Sequence, residues 1–263
     1  MPWFKRLRTS TGTGLRLMGI DFRSARRSLK SLPRFLADVR TYCNSATTGS
    51  FPFRWRHLSP VLHDYRAQAG TARGHYFHQD LWAARRILSA APTRHVDIGS
   101  RIDGFIAHLL VFRDVEVIDI RPLTSNVPGL TFIQADASTL NGITDNSITS
   151  LSCLHAIEHF GLGRYGDPID ASACFKGLDA FQRVLAPGGK LYLSAPIGRE
   201  RVEFNAQRVF APSTFLQHLS QLRLTHFSAV DDNGDMVSDA IPDHFTTAQF
   251  ACGLYEFTKD ADR

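Results

Sequence analysis

A glycine-rich dinucleotide loop, a CxxC pair and a long apolar run are all missing from this sequence, and each absence removes a class of function. A GxGxxG turn lets a pyrophosphate approach a helix N-terminus, so its lack counts against a nicotinamide or flavin enzyme. The four cysteines, Cys43, Cys153, Cys174 and Cys252, stand far apart. That spacing suits neither a zinc knuckle nor a disulfide framework and fits a protein of the reducing cytoplasm. No stretch reaches the roughly 18–20 apolar residues that a membrane span needs. The first residues, MPWFKRLRTSTGTGLRLMGIDF, are basic but lack a sustained apolar core, and make a poor secretory signal.

Positive charge is short in the body of the chain and crowded at its start. Residues 1–40 hold ten Lys or Arg against Asp21 and Asp38, a local charge of +8 in a chain of net +5, so the other 223 residues stand at −3. A nucleic-acid groove places its basic stripe on the folded domain, so nucleic acid is not an expected partner. The basic segment suits either a solvated helix without a partner or a peripheral contact with an anionic membrane surface. Residues 1–75 therefore read as a basic N-terminal extension with a linker at NSATTGSFPF, and residues 76–263 as one α/β domain.

What is present alternates. RHVDI, VEVIDI, LTFIQADA, SITSLSCLHAI and KLYLSAP are short apolar strands. QDLWAARRILSAA, DGFIAHLLVF and ASACFKGLDAFQRVL carry helical spacing, and APGG stops the last. LRLTHFSAV and FACGLYEFTK read as closing strands around DDNGD. Strand–helix alternation implies a doubly wound, mostly parallel sheet with helices on both faces.

In such sheets ligands lie beyond the C-terminal strand ends, where the strand order reverses. Asp97, Gly99 and Ser100 end the first strand, and Asp119 and Ile120 end the second, with Asp119 22 residues after Asp97. That spacing places an acid where ribose hydroxyls can donate to it. GSRIDG offers only Gly99 and Gly104, with Arg101 and Asp103 between them. A phosphate-free nucleoside does not require the missing glycines, and S-adenosylmethionine is such a nucleoside.

Residues from about Arg94 to Lys259 resemble the class I S-adenosylmethionine-dependent methyltransferases. VDIGSRIDGF is similar to their first motif in degenerate form, VIDI to the second-strand acid, QADA to the adenine-side segment and VLAPGGKLYLSAP to the helix–turn–strand often written LxPGGxL. The combination of DIGSRIDGF, IDIRPL, LHAIEHFGLGRYGD, PIGRERVEFNAQRVF and CGLYEFTK is similar to an uncharacterised methyltransferase-like family of unknown function. The resemblance implies a Rossmann-like fold with S-adenosylmethionine as cofactor. It also implies that Asp97 and Gly99 line the methionine end, Asp119 the ribose, and Asp136 with Ala137 the adenine.

Methyl transfer to a hydroxyl benefits from a base, and CLHAIEHFG supplies His159, Glu158 and His155, in that order of expectation. His155 and His159 stand four apart, but no third ligand at a telling spacing accompanies them, so no metal is expected. Arg199, Arg201, Glu203 and Asn205, after the fifth strand, are candidates to hold a small hydroxylated metabolite or glycan precursor. In GHYFHQD, Tyr76, His78, Gln79 and Asp80 read either as a lid or, for Asp80, as a helix cap. The leading expectation is an O-methyltransferase. A catalytically silent binding module for a glycan or protein partner stands beside it, and a dinucleotide enzyme further off.

Overall fold

The computed structural model describes residues 22–45, 51, 53–62, 64, 65 and 67–260. The chain divides into two compact units, Met1–Thr71 and Ala72–Arg263. In the first, helix α1 (Phe22–Ser45) carries Pro33 within its length and leaves Leu29 and Leu36 exposed. Arg34 lies over the Tyr65 ring at 4.6 Å, and the Tyr65 hydroxyl donates to Asp38. Of the ten basic residues behind the membrane-surface expectation, six belong to α1 and four fall in residues 1–21, outside the described residues. No helix among the described residues is long and apolar enough to cross a membrane.

The second unit is built on an eight-stranded sheet in the order β3-β2-β1-β4-β5-β10-β8-β9. Strands β1 (Val96–Ile98), β2 (Val115–Asp119), β3 (Leu130–Gln134), β4 (Ile148–Leu154) and β5 (Leu185–Ile197) are parallel. Strand β10 (Ala251–Lys259) enters between β5 and β8 (Leu222–Val230), antiparallel to both, and β9 (Met236–Val237) closes the edge. β6 (Arg201–Glu203) and β7 (Gln207–Val209) form a separate hairpin.

Apolar clusters lie against the sheet, which is why strands such as VDI are buried along their whole length. Helix α2 (His75–Ala90) brings Trp82 and Ile87 to one cluster, with Phe105 and the β10 residues Cys252 and Leu254. Helix α4 (Ala173–Val184) brings Leu178 and Phe181 to another, with Phe215 of α5 (Thr214–His218) and the β10 residues Tyr255 and Phe257. Side chains at alternate β10 positions thus enter different clusters, as the pleat requires.

Three elements depart from the sequence reading. The helix expected over Asp103–Phe112 is a π-turn, Ile102–Ile106, running into a short α3, Ala107–Leu110. Gly104 sits in that turn because a Cβ there would stand 2.8 Å from Asp80 Oδ2. Second, APGG does not separate helix from strand. β5 starts at Leu185 and runs through Gly188 at φ 74, with a register shift against β4. Third, Asp80 is not a cap, because α2 already begins at His75 with Gly74 as its N-cap, and of GHYFHQD it is Tyr76 that lines the cavity, from within the helix. Gln79 and Asp80 are consequently buried within the helix.

Candidate cofactor and acceptor site

The strand order reverses between β1 and β4, and a cavity of about 430 Å³ opens at the C-terminal ends of the parallel strands there. Gly99 lines it after β1, Asp119 and Ile120 at the tip of β2, Asp136 and Ala137 after β3, and His155 and His159 after β4. Gly99 holds φ 68 and lies so close to Ala156 that a Cβ would meet its methyl at 3.0 Å. The turn is therefore open to glycine only, and it leaves the cavity floor flat.

Asp97 does not line this cavity. Its carboxylate is fully buried beneath the turn, accepting from the Ser100 N–H at 2.9 Å, the Ser100 hydroxyl at 2.7 Å and the Ser152 hydroxyl. Burial pushes its pKa up to about 6 against the pull of those hydrogen bonds. Ser152 also meets His95 Nε2, whose other nitrogen meets Ser150, so one buried network ties β1 to β4 under the site. Ser100 belongs to that network too, donating to Asp97 and accepting from the Leu154 N–H. Gly104 serves the approach of Asp80. Asp97, Ser100 and Gly104, expected at the cofactor, do not line the cavity; in this structure they support the turn beneath it.

Asp119 faces the cavity, but its carboxylate is already engaged. Arg121 donates its backbone N–H and Nε to Oδ1, at 2.8 and 2.9 Å, and Nη2 to Oδ2 at 2.5 Å. The guanidinium in turn lies 4.6 Å over the Tyr165 ring. Asp136 accepts from the Ser138 N–H at 2.8 Å and is exposed at the cavity wall. Arg101 folds onto Asp103 at 2.9 Å and over Tyr76, so it stands at the cavity edge with over half its side chain exposed.

Below β4 the chain makes a 3₁₀ turn, Ile157–His159, that sorts the three expected catalytic side chains. His155, held at φ 51, uses both ring nitrogens. Nδ1 meets Glu158 Oε1 at 2.6 Å and Nε2 meets His75 Nδ1 at 3.0 Å. Glu158 is fully buried. Burial alone would raise its pKa, yet the neighbouring His155 outweighs burial and holds it below the ordinary value. For His155 itself burial works against charge, and the Cys252 sulfur and Glu158 carboxylate overcome it to raise the pKa well above the usual value. Burial and then His155 push His75 down to about 4. His159 differs. Its Nδ1 donates to the Ala206 carbonyl at 2.7 Å, which leaves Nε2 as the lone-pair nitrogen. Burial lowers its pKa, so the ring is neutral near pH 7.

The stretch Gly161–Asp170 walls the cavity and is held by its own bonds. Asp167 accepts from the Gly163 and Tyr165 N–H groups, and Gly161 is so close to Asp170 that no Cβ fits. Tyr165 stands edge-on to His159 at 5.5 Å between ring centroids.

The four expected acceptor residues do not line the main cavity. Arg201 pairs with Glu203 at 2.8 Å and donates to the Arg199 carbonyl, so the charges of the β6–β7 hairpin largely satisfy one another. Asn205 occupies the hairpin turn at φ 66, a conformation asparagine tolerates. The cations that do line the cavity are Arg121, Arg164 and Arg101. Arg121, Tyr165 and His75 were missed by sequence reasoning. The one available signal was RYGD following the histidines, a polar turn too compact for a plain linker.

A family model described as a Caenorhabditis protein of unknown function, DUF268, matches residues 143–224. No curated protein matches the chain. Among solved structures, a putative sarcosine dimethylglycine methyltransferase from Galdieria sulphuraria is similar with a TM-score of 0.51 and 12% identity, over 70% of this chain and 86% of that one. The N-methyltransferase NodS from Bradyrhizobium japonicum WM9, in complex with S-adenosyl-L-homocysteine, is similar with a TM-score of 0.49 and 14% identity, over 71% and 88%. The fold is that of the class I S-adenosylmethionine-dependent methyltransferases. Within it, the segment from before β4 to the start of β8 matches a family without an assigned function.

Proposed function

We propose that the Ala72–Arg263 unit binds S-adenosylmethionine in the 430 Å³ cavity and transfers its methyl group to a hydroxyl of a small metabolite or glycan precursor. One observation carries the reading: Asp119 at the tip of β2 and the lone-pair histidine His159 below β4 line the same cavity. The residues fit the cofactor's chemistry. Gly99 gives a flat turn, Ile118 and Ala137 give apolar surface for a base, and Asp119 retains acceptor capacity toward a ribose. An ionised carboxylate offers about four lone-pair positions, of which Arg121 takes three.

When bound, the sulfonium supplies an electrophilic methyl whose departure leaves a neutral thioether. The chain's own part is positioning and proton removal. His159 Nε2 takes the hydroxyl proton as the acceptor oxygen forms its bond to carbon, and the Ala206 carbonyl fixes the tautomer that makes this possible. Arg164, which also donates to the Ala206 carbonyl, keeps that carbonyl in place.

The test is a thermal shift with S-adenosylhomocysteine, followed by transfer of labelled methyl groups to extract metabolites. Stabilisation that disappears in Asp119→Ala supports the reading, and no stabilisation at millimolar ligand overturns it. The hold of Arg121 on Asp119 favours a second reading, a module that binds without transferring. Its signature is ligand binding with no labelled product.

A further inference from the structure

Three side chains that no part of the methyl-transfer reading uses converge beside the cavity. His75 is the first residue of α2, His155 follows β4, and Cys252 lies in β10. One ligand atom from each, His75 Nδ1, His155 Nε2 and Cys252 Sγ among the available choices, lies within 4.8 Å of the others. We propose that these three residues bind a borderline-soft divalent transition metal ion of the zinc class.

The hydrogen bonds around the rings carry the argument. His75 Nε2 stands 3.1 Å from the Phe250 carbonyl, which can only accept, so Nε2 bears the hydrogen. His155 Nδ1 stands 2.6 Å from the Glu158 carboxylate, so Nδ1 bears the hydrogen there. The nitrogens left over, His75 Nδ1 and His155 Nε2, face each other at 3.0 Å. With both rings neutral the two lone pairs would point at one another, so a cation, either a proton or a metal ion, bridges them. Metal-bound histidines present this pattern, the far N–H being given to a carboxylate or a carbonyl.

The remaining features agree. A tetrahedral ion with bonds of about 2.0–2.1 Å to nitrogen and 2.3 Å to sulfur sets neighbouring ligands roughly 3.3–3.6 Å apart, against 3.0 Å between the two nitrogens and at most 4.8 Å across the cluster. Glu158 is fully buried, and its second oxygen, Oε2, has no hydrogen-bond partner among the described residues, so negative charge faces no competing donor there. His155 holds a left-handed backbone, φ 51, that a β-carbon disfavours, and such strain gathers at functional positions. A second cavity of about 340 Å³, lined by His75, His155, Glu158, His159 and Gln207, reaches these rings and shares His155 and His159 with the main one. A fourth ligand, water or an acceptor oxygen, can enter from it. The spacing of His155 and His159 gave no reason to expect a metal, and the turn after β4 aims His155 at His75 of α2.

The full-length chain, stripped with chelator and kept reduced, is titrated with cobalt(II) and then with zinc(II) against a chromophoric chelator. One equivalent of cobalt should bind and give a near-ultraviolet thiolate-to-cobalt band. Cys252→Ser should lose that band, while Cys43→Ser, in the other unit and exposed, should keep it. His75→Ala should weaken zinc binding at least tenfold, and Glu158→Gln roughly 10–100-fold, as for a residue that orients a ligand. Circular dichroism establishes that each variant is folded, and His75→Ala decides the matter if Cys252→Ser is not. Folded parent protein that takes up no stoichiometric metal overturns the proposal, since a shared proton then fills the gap. Undiminished affinity in His75→Ala overturns it equally.

Discussion

The guanidinium of Arg121 donates to both carboxylate oxygens of Asp119, two residues away in sequence. The acid expected to hold a ribose is therefore prepared but partly spent. Asp119→Ala should weaken S-adenosylhomocysteine binding at least tenfold by isothermal titration calorimetry. Arg121→Met returns lone pairs to the acid and should bind the same ligand as tightly as the parent or tighter. Loss of binding in Arg121→Met would mean that the arginine itself holds the ligand, and the pocket would then be one for an anion.

His159→Gln should lower the rate of methyl transfer about 10²-fold or more, the range typical of a positioned base, with cofactor affinity unchanged. Only the neutral imidazole accepts a proton, and burial lowers its pKa. The rate should therefore hold at neutral pH and fall on acidification with a midpoint below the usual histidine value of 6.5. A rate profile showing its acid limb above that value assigns the base to another group.

Stability should carry the mark of His95. Burial, then Arg113, pushes its pKa to about 3 from the ordinary 6.5. As pH falls below 6.5 the unfolded chain takes up this proton and the native chain does not, so stability is lost between 6.5 and about 3. Asp97 acts with the opposite sign between about 6 and 3.8, since its native pKa is raised. His95→Gln keeps polar partners for Ser150 and Ser152 but does not titrate. Urea midpoints of parent and variant should diverge on acidification, by up to about 1.4 kcal/mol per pH unit, and parallel curves would contradict this.

Gly161→Ala should be among the costliest single methyl additions in the unit. At φ 72 its Cβ would stand 1.9 Å from the Asp170 carbonyl oxygen. Strain of this kind costs about 1–3 kcal/mol, and the wall of the cavity would have to shift as well. Chemical denaturation gives the first quantity and S-adenosylhomocysteine affinity the second. An unchanged affinity would show that the Gly161–Asp170 wall takes no part in the site.

The parallel sheet was legible because short apolar runs alternate with stretches of helical spacing. Asp119 and Asp136 were placed at strand tips by the same pattern, and both line the cavity. That Asp97 does not line the cavity was not legible, because an acid at a strand end reads alike whether it faces a ligand or supports the turn. Only the fold distinguishes the two: Asp97 is fully buried and accepts from Ser152, 55 residues away. His75 and Cys252 could not be paired from the sequence, since their meeting depends on a helix start and an antiparallel strand 177 positions apart. The charges of PIGRERVEFNAQRVF misled for a simpler reason: Arg201 and Glu203 share one face of a strand and bond each other.

The insertion of β10 between β5 and β8 has a consequence for the order in which the molecule can be completed. Both neighbouring strands are made earlier on the ribosome, and each must wait with a bare hydrogen-bonding edge until Ala251–Lys259 emerges. A nascent chain arrested before Ala251 thus exposes two adhesive borders and lacks Cys252, so it should need chaperone protection that the finished chain does not.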